Sequence, residues 1–316
     1  MIKVSICVPV YGAEPFMAKC ARSLLAQTYD NIEYIFVNDC TRDRSIDILR
    51  EVLEEFPNRK TAVRIIDHDH NQRLSATRHT AVLQATGDYI FHFDDDDTLE
   101  PDAIERYVLK AEETGADMVT ADINYVYGDQ VNPHFDVVPD DKHDYVCRLL
   151  TRRSRIEIWG RLIRRSLILE HQLFAPDGLN LSEDFVLIPR IAYLANRVAK
   201  VDAPLVNYMR YQGSGSTVVR RNGLETTVQA LDILETFFTG IPDAADYAEA
   251  LQEAKLHNKV TLYGLASKAD YPYVRSLYKE IPVWHSQLDL KKKLLLTLAS
   301  WHLDTLVFRI IHHYMK

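Results

Sequence analysis

Four times before Gly115, a short apolar run rich in β-branched residues is followed by a longer stretch with apolar residues at helical spacing. The runs are KVSICVPV (3–10), EYIFV (33–37), AVRII (62–66) and YIFHF (89–93), and the stretches after them reach Gln27, then cover 43–56, 74–85 and 101–114. KVSICVPV is apolar on both faces, as a central parallel strand covered by helices must be. Pro15 falls where a first helical turn accepts proline, and Phe16, Cys20 and Leu24 follow at helical spacing. Strands that alternate with helices of this length imply right-handed crossovers and a mostly parallel sheet. Gly115 ends the fourth helix, and DMVTADINYVY (117–127) reads as a further strand near the sheet edge. Beyond about 120 the pattern loosens into strands, an Arg-rich segment over 148–165 and a helix after Ser182, and from about 224 it is helical to the end.

The chain has 316 residues, enough for one large domain or a domain with an appendage, and only 11 Gly and 12 Pro, which argues against disorder. A formal net charge of −8 speaks against a nucleic-acid partner, which needs clustered cations to neutralise phosphates. Cys7, Cys20, Cys40 and Cys147 lack metal-ligand spacing and read as free thiols of a reducing compartment. No apolar run approaches the roughly 20 residues of a membrane-spanning helix. The expected location is the cytoplasm.

Ligands of such sheets bind at the carboxyl ends of the strands, and there the polar residues fall: Asn38 and Asp39, Asp67 to Asn71, and Asp94 to Asp97. Four consecutive aspartates repel one another unless a cation offsets them. On an extended segment Asp94 and Asp96 point to one side and suit a hard cation such as Mg²⁺ or Mn²⁺, which keeps sites for phosphate oxygens.

The segments VSICVPVYGAEPFMAKCARSLLAQTYDNIEYIFVNDCTRDRS and NQRLSATRHTAVLQATGDYIFHFDDDDTLEPD resemble glycosyltransferase family 2, closely to about residue 105 and more loosely to about 217. The resemblance implies the GT-A fold, a Rossmann-like α/β domain, with a helical C-terminal appendage. It divides the chain into a catalytic domain over 1–220, its nucleotide-sugar half and acceptor half meeting near 120, and a helical region over 221–316. It further implies that Pro9, Val10, Tyr11 and Asp39 cradle base and ribose, that Arg78 faces the nucleotide, that Asp94 and Asp95 belong to the donor site, and that Asp96 holds the metal. LSEDFVLIPRIAYL resembles the family's ED segment, with Asp184 as general base beside Glu183, Ser182 as helix cap, and Pro189 kinking or restarting the helix. WGRLIRR resembles a segment lining the acceptor side, through Trp159 and Arg161.

The sequence departs from the family where Cys40 and Arg73 replace usual glycines, where His79 replaces an asparagine, and where no histidine stands between Tyr208 and Thr217. Seven arginines over 148–165 face a single acid, Glu157, and suit an acceptor phosphate, an anionic membrane or a salt-bridged surface. GSGST (213–217) lacks the lysine of a phosphate loop and reads as a flexible loop closing over the donor. The implied reaction is one in-line, inverting displacement on a UDP-sugar by a hydroxyl of a glycan or lipid-linked glycan. The rivals are a sugar-phosphate nucleotidyltransferase, which needs a Gly-rich loop where only Gly12 stands, and a silent nucleotide-sugar-binding module. From Leu290 to Lys316 lysines alternate with Leu294, Leu298, Trp301 and Phe308 at near-helical spacing. That stretch suits a helix lying on the inner face of the cytoplasmic membrane, or one packed on the domain or in a homodimer.

Overall fold

The computed structural model describes residues 1–176, 178–179, 182–211 and 223–314. Strands β1 (Val4–Val10), β2 (Ile32–Asn38), β3 (Val63–Asp67) and β4 (Tyr89–His92) pair in parallel in the order β3-β2-β1-β4. Helices α1 (Met17–Leu25), α2 (Ser45–Glu55), α3 (Arg73–Gln84) and α4 (Ala103–Thr114) alternate with them. Every residue of β1 is buried, because each face has its own cover. Val4, Ile6, Val8 and Val10 pack with α1, α2 and α4, whereas Cys7 packs with Ala81 and Val82 of α3.

The second half completes the sheet with β5 (Thr98–Leu99), β6 (Met118–Tyr127), β7 (Gln130–His134), β8 (Leu162–Arg164) and β9 (Val198–Met209). The described strands form one sheet in the order β3-β2-β1-β4-β8-β6-β9-β5, with β7 as a hairpin on β6. The strand over 117–127 is therefore interior and not near the edge. Short β8 inserts antiparallel between β4 and β6, and β9 runs parallel along the whole of β6. Since β4 and β6 are both antiparallel to β8, the carboxyl ends of β1 to β4, β6 and β9 share one rim.

At the opposite end, buried Glu33 of β2 accepts hydrogen bonds from Ser5 Oγ, Lys3 Nζ, the Thr86 hydroxyl and the backbone N–H groups of Thr86 and Gly87. Gly87 is required there, since a Cβ would lie 2.6 Å from Ser5 Oγ and 2.8 Å from Lys3 O.

Helices α5 (Lys142–Leu150), α6 (Arg165–Glu170) and α7 (Glu183–Leu194) cover the α3 face of the sheet. Helix α8 (Gly223–Thr239) and the first half of α9 (Ala244–Leu265) share that core through Leu231, Leu234, Phe238 and Leu251. The second half of α9 forms a separate core with α10 (Tyr271–Ser276), α11 (Leu290–Ser300) and α12 (Asp304–Tyr314). The stretch expected as one amphipathic helix is thus two helices, broken at Trp301, His302 and Leu303, with His302 at a left-handed φ of 60°. The GSGST segment and the last two residues lie outside the described residues. Among those residues no helix is long and apolar enough to cross a membrane.

Candidate active site

Asp94 to Asp97 do not continue β4 as an extended strand. They form a turn, closed by the Asp97 N–H donating to the Asp94 carbonyl, and send their carboxylates to four different partners. Asp94 meets Arg78, Asp95 accepts from the Tyr11 N–H at 3.0 Å, Asp96 accepts from the Tyr211 hydroxyl at 2.7 Å, and Asp97 accepts from the Met209 N–H at 2.8 Å. Burial raises the carboxyls of Asp95, Asp96 and Asp97 above the usual range, and the neighbouring aspartates add to the shift. The other oxygen of Asp97 is buried without a hydrogen-bond partner among the described residues.

Arg78 is the pivot of the site. It lies almost wholly buried on α3, its Nη2 2.9 Å from Asp94 Oδ1 and its Nη1 2.9 Å from Asp184 Oδ1, with Glu183 Oε1 at 3.8 Å. Burial opposes its charge, but the three carboxylates outweigh burial and hold it a cation. Burial pushes the Asp184 carboxyl up to about 7; Arg78 pulls against this, and Glu183 and Asp94 reinforce it. Asp94 and Asp184, ninety residues apart in the chain, are thereby joined through one guanidinium.

Asp184 and Glu183 occupy the first turn of α7, as the sequence suggests. Ser182 makes no side-chain cap, because it adopts a left-handed φ of 69°. Helix α7 also runs through Pro189 without restarting, forgoing one backbone bond.

Pro9 and Val10 are the buried end of β1, and Tyr11 follows them exposed. The Val10 carbonyl accepts the Asp39 N–H. The Asp39 carboxylate is already engaged: it accepts the N–H groups of Gln72 and Arg73 and contacts His68 Nδ1 at 2.8 Å. It therefore fixes the start of α3, and with it Arg78. Cys40 and Arg73, which replace glycines, take left-handed φ values of 57° and 72°, the backbone that glycine tolerates best. His79 packs at a tilt against Phe174, ring centroids 4.0 Å apart, and lines a small cleft with Arg78, His92 and Glu183. Burial, with Arg78 nearby, lowers His92 to about 3, so its ring is neutral.

Both residues expected on the acceptor side are buried. Trp159 stacks on Tyr208 with ring centroids 5.0 Å apart. Arg161 has no exposed surface: its Nη1 donates to the Tyr145 hydroxyl at 2.9 Å and its other nitrogens to the carbonyls of Glu157 and Arg155. It braces the loop from inside the core and offers nothing to an acceptor. The Arg-rich segment as a whole is not one charged face, since Arg155 is buried too and Arg164 pairs with Asp117. Tyr211 and His68 went unrecognised in the sequence. Tyr211 reaches Asp96 across 115 residues, a contact with no local signature.

A set of crowded carboxylates, whose negative charge burial and mutual repulsion disfavour at Asp95, Asp96 and Asp97, suits a hard divalent cation that would offset that charge. Among the described residues no three His, Cys, Asp or Glu side chains converge as a complete metal cage. A bound cation would take its other ligands from phosphate and water.

Residues 5–166 match the family model described as Glycosyl transferase family 2. EpsH of Bacillus subtilis, named as a glycosyltransferase, is 32% identical over 250 residues, covering 74% of this chain and 67% of its own. Glycosyltransferase GlyA of Streptococcus pneumoniae is 26% identical over 95% of this chain, which spans only 44% of GlyA. Among solved structures, S. aureus TarS 1–349 in complex with UDP-GlcNAc superposes with a TM-score of 0.69 at 16% identity, over 99% of this chain and 91% of that one. The mannosyltransferase PcManGT of Pyrobaculum calidifontis, in complex with GDP-Man and Mn²⁺, gives a TM-score of 0.55 at 15% identity, over 99% and 88%. These likenesses extend the GT-A fold over the chain.

Proposed function

The chain belongs to glycosyltransferase family 2, and from that premise we propose that it transfers a sugar from a UDP-sugar to a hydroxyl of a glycan or lipid-linked glycan, with inversion and Asp184 as general base. The observation that carries the reading is the double contact of Arg78, which brings a donor-side and an acceptor-side carboxylate together at the rim where α/β sheets bind ligands. Tyr11, Asp39, Asp94 and Asp95 take the nucleotide side, Pro9 and Val10 form the floor beneath the base, and Asp96 holds Mg²⁺ or Mn²⁺. The metal, when bound, supplies charge to stabilise the departing diphosphate. Asp184, with a carboxyl near 7, is poised to take a proton from the acceptor hydroxyl at neutral pH. A UDP-linked donor is favoured by the UDP-GlcNAc of the TarS complex, and a metal by the Mn²⁺ of PcManGT. The chain works at the inner membrane surface, held there through α11 and α12.

The test is a thermal-shift panel of UDP-, GDP- and dTDP-sugars with and without Mn²⁺. A UDP-sugar should stabilise weakly alone and clearly with metal, because the diphosphate otherwise faces Asp94 to Asp97. Asp96→Ala should abolish the metal dependence; a full metal-dependent shift in that variant would reassign the ligand.

A further inference from the structure

His68 directly follows β3 and ties the rim of the sheet to α3 through both nitrogens of its ring. Nδ1 lies 2.8 Å from Asp39 Oδ1 and Nε2 lies 2.9 Å from the Thr80 hydroxyl, and the side chains of His68 and Asp39 are almost wholly buried. The backbone of His68 is held as well, its N–H donating to the Asn38 carbonyl and its carbonyl accepting from the Cys40 thiol. These contacts assign the tautomer. Asp39 Oδ1 also accepts the Gln72 N–H at 2.7 Å, and Oδ2 accepts the Arg73 N–H at 2.8 Å, so the carboxylate has no hydrogen to give and His68 Nδ1 is the donor. Nε2 of the neutral ring then accepts from Thr80, which lies on α3 two residues after Arg78.

A carboxylate has about four acceptor positions, two on each oxygen. His68 and Gln72 fill both positions on Oδ1, and Arg73 fills one on Oδ2, which leaves a single position on one oxygen. Nucleotide bases differ in what they bring to such a group. Uracil and thymine offer one ring N–H between two carbonyls, whereas guanine offers a ring N–H and an amino N–H side by side, a fork that fits both oxygens of a carboxylate. The backbone architecture does not choose between them, since the similar folds of TarS and PcManGT hold UDP-GlcNAc and GDP-Man respectively. The choice falls to side chains at the rim.

We propose that His68 makes this site select a uracil or thymine nucleotide over a guanine one, by filling Asp39 Oδ1 and leaving the base a single acceptor position on Oδ2. The inference rests on the proposed function, in which Asp39 takes the nucleotide side, and deepens it. His68 is a positioning residue: it acts on the base through Asp39. Thr80 is its second tether, so the ring cannot turn its Nδ1–H away without losing a buried hydrogen bond. Without His68, Oδ1 regains an acceptor position and the guanine fork can engage both oxygens.

The experiment measures the dissociation constants of UDP, dTDP and GDP for the full chain by titration calorimetry in excess Mn²⁺, with the unfolding temperature of each ligand-free variant recorded beside them. The wild type should bind UDP and dTDP alike and GDP roughly tenfold more weakly or worse. His68→Leu should narrow the gap between UDP and GDP by roughly tenfold, the scale of one hydrogen bond to a charged group. His68→Asn places a side-chain N–H where Nδ1–H stood and should keep the wild-type gap. His68→Gln, whose N–H reaches only the Nε2 position, should narrow it as leucine does; this pair decides the matter if the leucine variant does not fold. A merely structural His68 would weaken all three nucleotides together, so an equal loss in the glutamine and asparagine variants overturns the proposal. A gap that no substitution changes, or a wild type that prefers GDP, overturns it too. If the wild type binds none of the three, the glycosyl-transfer reading fails and the proposal falls with it.

Discussion

At the scale of single residues, the proposed base Asp184 and the arginine that contacts it, Arg78, carry the first tests. Asp184→Asn keeps the shape of the side chain and removes the proton acceptor, so UDP and Mn²⁺ should bind as in wild type while turnover falls by roughly 10²–10⁴-fold. The pH dependence has a definite sign. A base must be deprotonated to act, and burial holds this carboxyl near 7, so turnover in the wild type should rise as pH passes upward through about 7. Arg78 lowers that value, so Arg78→Gln should move the rising limb to higher pH, measured as a kcat–pH profile. Arg73 offers a stability test independent of activity. Its φ of 72° costs a side-chain-bearing residue about 1–2 kcal/mol, whereas glycine adds roughly 0.4–1 kcal/mol of unfolded-state entropy. Arg73→Gly should therefore raise stability by roughly 0.5–1 kcal/mol in denaturant titration; a loss would mean that the Arg73 side chain makes a contact worth more than the strain.

At the scale of elements, the parallel half of the sheet was legible because β1, β2 and β4 are short, mostly apolar runs buried on both faces and the stretches between strands carry apolar residues at helical spacing. What escaped was β8, three residues long and inserted antiparallel, since a strand that short carries no period to read. Its insertion moved β6 from the edge to the interior. The same limit applied to the site. The carboxylates at strand ends were readable, but the turn that sends each of Asp94 to Asp97 its own way depends on partners at Tyr11, Met209 and Tyr211, far away in the chain. Glu33 is a further feature of this kind, and it gives the β1–β2–β4 junction a pH signature. Burial favours its neutral form, yet bonds from Ser5, Thr86 and Lys3 outweigh burial and bring it to about 2. A carboxylate with a depressed folded value stabilises above its unfolded value and loses that contribution as pH falls toward the folded one. Stability should thus decline between about 4.5 and about 2, and Glu33→Gln should flatten that decline while lowering stability at neutral pH, both followed by thermal unfolding.

At the scale of the molecule, the described residues pack into three large regions beside a small cluster of Leu179, Val186 and Ala230: one core on each face of the sheet, the second extended by α8, and a third formed by the end of α9 with α10 to α12. The third core uses one side of α11 and α12, burying Leu295, Leu296, Ala299, Val307 and Ile311. The other side is left to solvent, with Leu290, Leu294, Trp301, Leu303 and Leu306 all more than 40% exposed beside Lys291, Lys292 and Lys293. A large apolar patch rimmed by cations is costly in water and complementary to an anionic bilayer, where each lysine adds about 1 kcal/mol. Neither helix, at 11 residues, is long enough to span, so the chain would rest on the surface. Truncation is a poor test, because removing α11 and α12 would strip Leu256, Leu262 and Tyr263 of α9 of their cover. The sharper test keeps the fold and changes only the exposed side. The triple substitution Leu294→Ser, Trp301→Ser and Leu303→Ser should leave the unfolding temperature unchanged yet release the full chain from vesicles containing anionic phospholipid. Wild-type binding to those vesicles should weaken with added salt and be small on neutral ones. If the wild type ignores both kinds of vesicle but sediments as a dimer that the same substitutions split, the exposed side belongs to a second copy and the membrane reading falls.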